Sequence, residues 1–434
     1  MHSSIRRASR RFRYHILSRR AWRHRLVFWA GAVVVGVTCF VFVQGGQFLE
    51  TRFRQLMMGA PWLPFLITPA GLAAAAWLTR RFFAGAEGSG IPQVVAAIQL
   101  PDRIRRGRLL SLRIAVGKIG LTWLALICGG SVGVFAPTVH IGASLLYGFG
   151  DRSGIRRHHI HRGLILAGGA AGIAAAFNTP LAGIVFAIEQ MSRSIEERSS
   201  GLMLSAVIIA GITALVLAGN YQMLPAVESQ LTDAVDWLAV PTLGISGGLL
   251  GAFFGLVLIA TSCKVAPWLA QRGIVIALLC GLIVALCGWA TAGLTHGTGF
   301  QQARELAAGE LSVTFLFPLA KMIATLASYL SGVPAGIFGP ALGIGAGVGS
   351  AFAAWFPHVD TTVLVLLGMV AFFSGMAQTP ITAFVVIMEM SDHHALLLPL
   401  MTTAFLAYIV SRAVCRKPIY LALAEPFLNP PQRH

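Results

Sequence analysis

A five-residue pattern, G-[VI]-F-[AG]-P, occurs twice in long segments almost free of charge, at Gly133 to Pro137 and again at Gly336 to Pro340. Each copy sits in a longer glycine-rich stretch, Gly129 to Ala143 and Gly332 to Gly349. An apolar segment surrounded by lipid should form one uninterrupted helix, because no water is available to satisfy loose backbone groups. Glycine and proline interrupt such a helix. A break at membrane depth is tolerated only where it lines a cavity or a binding site, so these two stretches are the first candidates for contact with a transported solute.

The membrane setting follows from composition. Of 434 residues, 56% are hydrophobic and 11% charged, where a soluble domain carries about 25% charged residues. The formal net charge of +17 would suggest nucleic acid in a soluble chain. Here the arginines gather at the edges of apolar segments, as the positive-inside rule requires of cytoplasmic loops, and no nucleic-acid partner is expected. The six cysteines (Cys39, Cys128, Cys263, Cys280, Cys287, Cys415) lie mostly in apolar runs without CxxC spacing and are expected to be small buried residues.

Residues 1–25 hold nine arginines, and Leu26 to Leu49 then runs without a charge. That run is too long for a signal-peptide core and is expected to be a first span, with the arm in the cytoplasm. The arm is either a basic amphipathic helix on anionic lipid or a solvated retention signal. Leu63 to Thr79 and residues 201–219, 238–262 and 273–293 give further apolar runs. Ala86-Glu-Gly-Ser-Gly-Ile-Pro92 is either a polar turn or an open helix start that offers N–H groups and the Ser89 hydroxyl to a ligand.

The basic stretches Asp102 to Arg113 and Asp151 to Arg162 are expected to be cytoplasmic loops, and Lys118 is the only charge between them, from Ile114 to Gly150. Two full spans need about 40 residues plus a turn, so at least one limb of this hairpin must be short. Gly163 to Met191, with Glu189 as its only charge and a break at Asn178-Thr-Pro180, forms a second bent hairpin. Met322 to His358 and Thr361 to Met388 are uncharged and repeat the order, with breaks at Gly336 to Pro340 and Gln378-Thr-Pro380. Thr179-Pro180 and Glu189 correspond to Thr379-Pro380 and Glu389 at an offset of 200, and the glycine-phenylalanine-proline cores at 203. Two motifs in one order at nearly one spacing make an internal duplication. Arginine flanks the first copy, whereas Asp360 and Asp392-His-His394 flank the second, so the halves should lie in opposite orientations. The expected fold is an all-α polytopic membrane protein with an inverted repeat and broken, re-entrant helices: an arm at 1–25, halves at 26–220 and 221–425, and a cytoplasmic tail at 426–434.

Broken helices whose amino ends meet at mid-membrane present unpaired N–H groups and roughly half a positive charge each. Asp and Glu are nearly absent from the segments carrying the breaks, so the breaks suit an anion better than a cation. No nucleophile and base pair, phosphate-cradling loop or cofactor motif stands out, and neither an enzyme nor a bound cofactor is expected.

Over residues 26–425 the chain resembles the CLC family of chloride channels and proton-coupled chloride transporters. Gly88-Ser-Gly-Ile-Pro92 is similar to the family's GSGIP, Gly133 to Pro137 occupies the place of its GREGP, and Gly336-Ile-Phe-Gly-Pro340 that of its GIFAP. Lys417-Pro-Ile-Tyr420 is similar to the segment bearing the pore tyrosine. The resemblance implies a homodimer with one pore per subunit in a bacterial-type cell membrane, with both termini cytoplasmic. It implies chloride or a similar anion held by the hydroxyls of Ser89 and Tyr420, the Gly90 turn, and the backbone N–H groups of Ile337 and Phe338. Ser89 rather than proline fits the family's chloride type. The paired nucleotide-sensing modules that some relatives carry are not expected after Tyr420.

Two departures carry weight. The family's gating glutamate aligns with Phe135, and Val134 replaces the neighbouring arginine; the second glutamate of its proton-coupled members aligns with Gln190, beside Glu189. Neither phenylalanine nor glutamine exchanges a proton near neutral pH. The expected function is passive, proton-uncoupled anion conduction, with Phe135 as an apolar plug or a constriction that anions pass by its ring edge. The other readings are that Phe135 merely packs, that transport is coupled through His140 or Glu189, or that the breaks are structural and no ion path exists. His140 is a proton carrier or a packing residue, and Glu189 lines a path or pairs with a cation. Lys118 adds positive potential near the pore. His158, His159 and His161 sit among arginines, and no metal site is expected of them.

Overall fold

The computed structural model describes residues 19–153, 158–191, 200–219, 223–225, 231, 233 and 235–429; residues 1–18 of the arginine arm and the end of the tail lie outside them, as do the side chains of His158 and His159, and the rest of the arm is the start of the first helix. Because lipid leaves a backbone no partner but itself, nearly every apolar run is helical. The first repeat comprises α1 (Arg19–Gly59), α2 (Pro64–Phe82), α3 (Ile91–Gln99), α4 (Arg103–Leu109), α5 (Leu112–Ile127), α6 (Phe135–Arg152), α7 (His158–Phe177), α8 (Pro180–Phe186) and α9 (Ser200–Ala218). The second comprises α10 (Ala239–Ala290), α11 (Phe300–Ala307), α12 (Leu316–Leu330), α13 (Phe338–Ala351), α14 (Thr361–Ala377), α15 (Pro380–Ser391), α16 (Leu397–Val414) and α17 (Ile419–Leu428). Among the described residues six helices are long and apolar enough to cross a membrane.

One expectation is corrected. The stretch Asp102 to Arg113 is not a loop: the Asp102 carboxylate accepts from the Ile104 N–H and starts α4, and Ser111 caps α5 in the same way. A side-chain oxygen at the N-cap satisfies one of a helix's orphan donors, which is enough to hold a seven-residue helix among arginines. Arg106, buried, donates to Ala97 O from Nε. The apolar runs at 238–262 and 273–293 join as α10, 52 residues broken by non-helical backbone at Arg272. At 1.5 Å per residue that is about 78 Å, against a hydrocarbon core of about 30 Å, so α10 is two spans joined at Arg272.

The inverted repeat is visible in paired contacts. α6 packs along α7, and α13 along α14. A β-carbon built on Gly142 would lie 2.2 Å from Gly168 O, and one on Gly345 would lie 2.5 Å from Gly368 O. Close backbone approach through small residues replaces the hydrophobic driving force that lipid removes. The amino ends of α8 and α15 are joined reciprocally: Leu181 N and Ala182 N donate to Glu389, while Ile381 N and Thr382 N donate to Glu189. Each carboxylate thus caps the other repeat's helix, satisfying two donors that the Thr-Pro break leaves open.

Candidate functional site

The two breaks meet. Gly133 and Gly336 form an antiparallel bridge in which Gly133 N donates to Gly336 O at 2.7 Å. Side chains are excluded at the crossing: a β-carbon on Gly336 would lie 2.3 Å from Gly133 O, and one on Gly133 would lie 2.7 Å from Pro340 Cδ. The bridge brings together the starts of α6 at Phe135 and α13 at Phe338, so both helices present first-turn N–H groups and positive dipole ends near one point.

The Ser89 loop docks against this point. Gly88 N donates to Val333 O at 3.1 Å, and Gly90, with φ 96°, turns the chain into α3. The stretch is a turn that leads directly into the helix start at Ile91. Lys118, fully buried, donates from Nζ to Ala86 O at 2.8 Å and Gly88 O at 3.0 Å, and Gln93 Nε2 donates to Glu87 O at 2.7 Å. The loop's carbonyls are therefore drawn away from its open end. α17 packs on α3 and starts at Ile419, next to Tyr420. Tyr329, unremarkable in the sequence, has its hydroxyl 3.1 Å from a β-carbon built on Gly88. Ser89 Oγ and Tyr420 Oη are both fully buried and have no hydrogen-bond partner. A buried hydroxyl without a partner carries the desolvation cost with no return, about 1–3 kcal/mol, and native interiors rarely leave one so.

Phe135 is fully buried in a row of five rings. It stacks on Phe177 with centroids 4.0 Å apart and planes 19° apart, meets Phe300 edge-on at 5.4 Å, and has its own edge 3.2 Å from a β-carbon built on Gly339. Phe177 continues to Phe338 at 5.0 Å, and Phe338 to Phe373 at 4.2 Å. The Phe135 ring thus closes against both repeats.

The remaining residues separate into partnered and distant groups. His140 Nε2 lies 2.8 Å from Leu109 O, and its Nδ1 lies 3.4 Å from Ser144 Oγ. A carbonyl only accepts, so Nε2 carries the proton and Nδ1 accepts from Ser144; both ring nitrogens are in use. Glu189 is committed to the α15 amino end, with Thr382 Oγ1 donating to it at 2.7 Å as well; its observed partners are neutral donors, not a cation. Gln190 is half-buried in the single π turn Ala187–Met191 after α8. His161 packs its ring 5.2 Å from Tyr147, and among the described residues no three His, Cys, Asp or Glu side chains gather as a metal site.

The second repeat holds a counterpart of the Ser89 loop that sequence reasoning missed, Gly297-Thr-Gly-Phe300 at the start of α11. Lys321 Nζ donates to Thr295 O at 2.8 Å and Gly297 O at 2.9 Å, Gln302 Nε2 donates to His296 O at 3.3 Å, and Gly297 N donates to Gly130 O at 3.2 Å. These contacts match those of Lys118, Gln93 and Gly88 one for one. The signal was present: Gly297-Thr-Gly299 follows Gly88-Ser-Gly90 at an offset of 209, and Lys321 follows Lys118 at 203.

The family model for the voltage gated chloride channel matches residues 70–412. The chain belongs to this family. Its fold is similar to that of a slow cyanobacterial Cl-/H+ antiporter, with 27% identity, a TM-score of 0.79, and coverage of 95% of this chain and 99% of that one. A eukaryotic CLC transporter (20% identity, TM-score 0.77, 93% of this chain and 74% of that one) shares the fold. So does a CLC-type fluoride/proton antiporter (21%, 0.77, 91% and 97%). Within this family the chain is a multi-pass membrane protein of anion transport.

Proposed function

We propose that the protein is a passive anion pathway, selective for chloride or a similar small anion, that moves no protons. The observation that carries this reading is the pair of buried, unpartnered hydroxyls, Ser89 Oγ and Tyr420 Oη, on segments whose helices α3 and α17 pack together, with the Ser89 loop bonded just ahead of the second break through Gly88 N and Val333 O. A dehydrated halide accepts from hydroxyl and N–H donors at once and needs no titrating group. On this reading Ser89 and Tyr420 supply hydroxyls, Gly90 shapes the turn, and Ile337 and Phe338 supply backbone N–H groups. Phe135 is the gate: an apolar plug whose ring must rotate or pass the anion along its edge. Dissociating a proton is impossible at Phe135 and Gln190, while His140 and Glu189 are fully engaged by neutral partners, which favours passive conduction over coupling through non-standard residues. Two such pathways would act side by side in a homodimer in the cell membrane.

The test is chloride efflux from proteoliposomes with potassium valinomycin as the charge shunt, recording chloride and pH together. Chloride release with no accompanying proton movement is expected. Obligatory proton uptake at a fixed ratio would reject the proposal. Phe135→Glu should add a block that lifts on acidification, since a carboxylate at the plug position repels anions only while ionised; conduction by that variant indifferent to pH would remove Phe135 from the path.

A further inference from the structure

The two hydroxyl-bearing loops are built alike but occupied differently. Thr298 N and Thr298 Oγ1 both donate to Glu50 Oε2, at 3.1 and 2.7 Å, while the equivalent Ser89 hydroxyl has no partner. Glu50 reaches the loop from α1 and is buried. A β-carbon on Gly297, with φ 75°, would lie 2.3 Å from the Glu50 carboxyl carbon, so only glycine lets the carboxylate settle on this backbone. One oxygen of Glu50 receives both bonds, and the other, Oε1, is buried with no partner. A two-oxygen carboxylate therefore meets a site that serves one acceptor. A spherical anion would use the same two donors and leave no oxygen stranded.

We propose that the Thr298 loop is a second site for a small monovalent anion, held here by Glu50 as a tethered substitute, and that a mobile anion enters when Glu50 is neutralised or withdraws. The inference rests on the anion reading of the Ser89 loop. Position gives it consequence. Phe300, the first residue of α11, meets the ring of Phe135 edge-on, and a β-carbon on Gly339 would lie 3.1 Å from Thr298 O. The Thr298 loop thus borders the plug on the flank related to the Ser89 loop by the repeat. The charged and titratable groups around Glu50 are Lys321, anchored on the loop's own carbonyls, Arg54 one turn further along α1 and paired with Glu305 at 3.0 Å, and His296, whose Nδ1 donates to Gly129 O at 2.7 Å. With Arg54 paired to Glu305, the group nearest an incoming anion is Lys321, and neutralising Glu50 removes the negative neighbour that would repel that anion.

Anomalous diffraction from crystals soaked in bromide decides the point, using the full chain as wild type, Glu50→Gln and Glu50→Ala. Bromide is expected within hydrogen-bond reach of Thr298 N in Glu50→Ala and not in wild type, where the Glu50 carboxylate holds both donors. Glu50→Gln should admit bromide more weakly than Glu50→Ala, because its amide can still accept from Thr298. Absence of bromide at Thr298 in Glu50→Ala overturns the proposal. Should that variant fail to fold, its absence in Glu50→Gln does the same. Bromide at Thr298 with none beside Ser89 and Tyr420 would instead uphold this site and remove the proposed pathway, so the two readings fail separately.

Discussion

The Ser89 loop and the Thr298 loop have the same parts: a Gly-[Ser/Thr]-Gly turn, a buried lysine holding the preceding carbonyls, a glutamine on the same strand of chain, and a helix that begins at once. They differ in what the hydroxyl meets. In the first repeat it meets nothing; in the second it meets the Glu50 carboxylate. The lesson is that duplication conserved the scaffold that makes a positive, donor-rich pocket, and that the occupant is decided by one side chain from another helix. An acceptor must come from somewhere, since buried donors are costly to leave unmade. In one loop the protein provides it; in the other, on our reading, the transported anion does.

The sharpest challenge to this equivalence is to remove the lysines. Lys118→Met and Lys321→Met each forfeit two short charged hydrogen bonds and strand buried carbonyls, and each should cost about 3 kcal/mol or more, measured as thermal inactivation in detergent. Similar losses are expected; a large loss for one and none for the other would break the symmetry. Phe135→Ala comes next. It leaves a cavity among the rings and should cost about 3 kcal/mol of stability, while raising chloride efflux, because the plug is gone. Unchanged efflux would make Phe135 mere packing.

The occupants themselves give the next contrast. Thr298→Val removes a hydroxyl bonded to a carboxylate and should destabilise by about 1.5–3 kcal/mol, whereas Ser89→Ala removes a buried hydroxyl with no protein partner and should leave the anion-free protein no less stable. The order should invert for chloride affinity measured by titration calorimetry, where Ser89→Ala loses about tenfold, equivalent to about 1.4 kcal/mol. Equal stability effects would mean that the Ser89 hydroxyl has an acceptor of its own. At the α8–α15 caps, Glu189→Gln and Glu389→Gln should each cost about 1 kcal/mol and introduce no proton movement. An altered proton signal in Glu189→Gln would return that residue to the transport path.

Much of the architecture was legible in the sequence because lipid imposes simple rules. The paired G-[VI]-F-[AG]-P cores, the Thr-Pro breaks at an offset of 200 and the arginine asymmetry led to an inverted repeat before any coordinates. Helix α4 was not legible, since its arginines matched a loop and the Asp102 cap was passed over. The Thr298 loop was missed because Phe300-Gln301 replaces the Ile91-Pro92 that made the first copy conspicuous, although the lysine spacing marked it. Glu50 could not be found by scanning the break segments for acids, because it belongs to α1, some 250 positions from the loop it reaches in space. The partners of His140 and Glu189 are likewise contacts between helices, which periodicity does not encode.

The measurement that bears most directly on proton-free anion passage is the reversal potential of purified protein in a planar bilayer, with the chloride gradient fixed and the pH gradient stepped. The reversal potential is expected to stay at the chloride equilibrium value at every pH step. A displacement that tracks the proton gradient would contradict it.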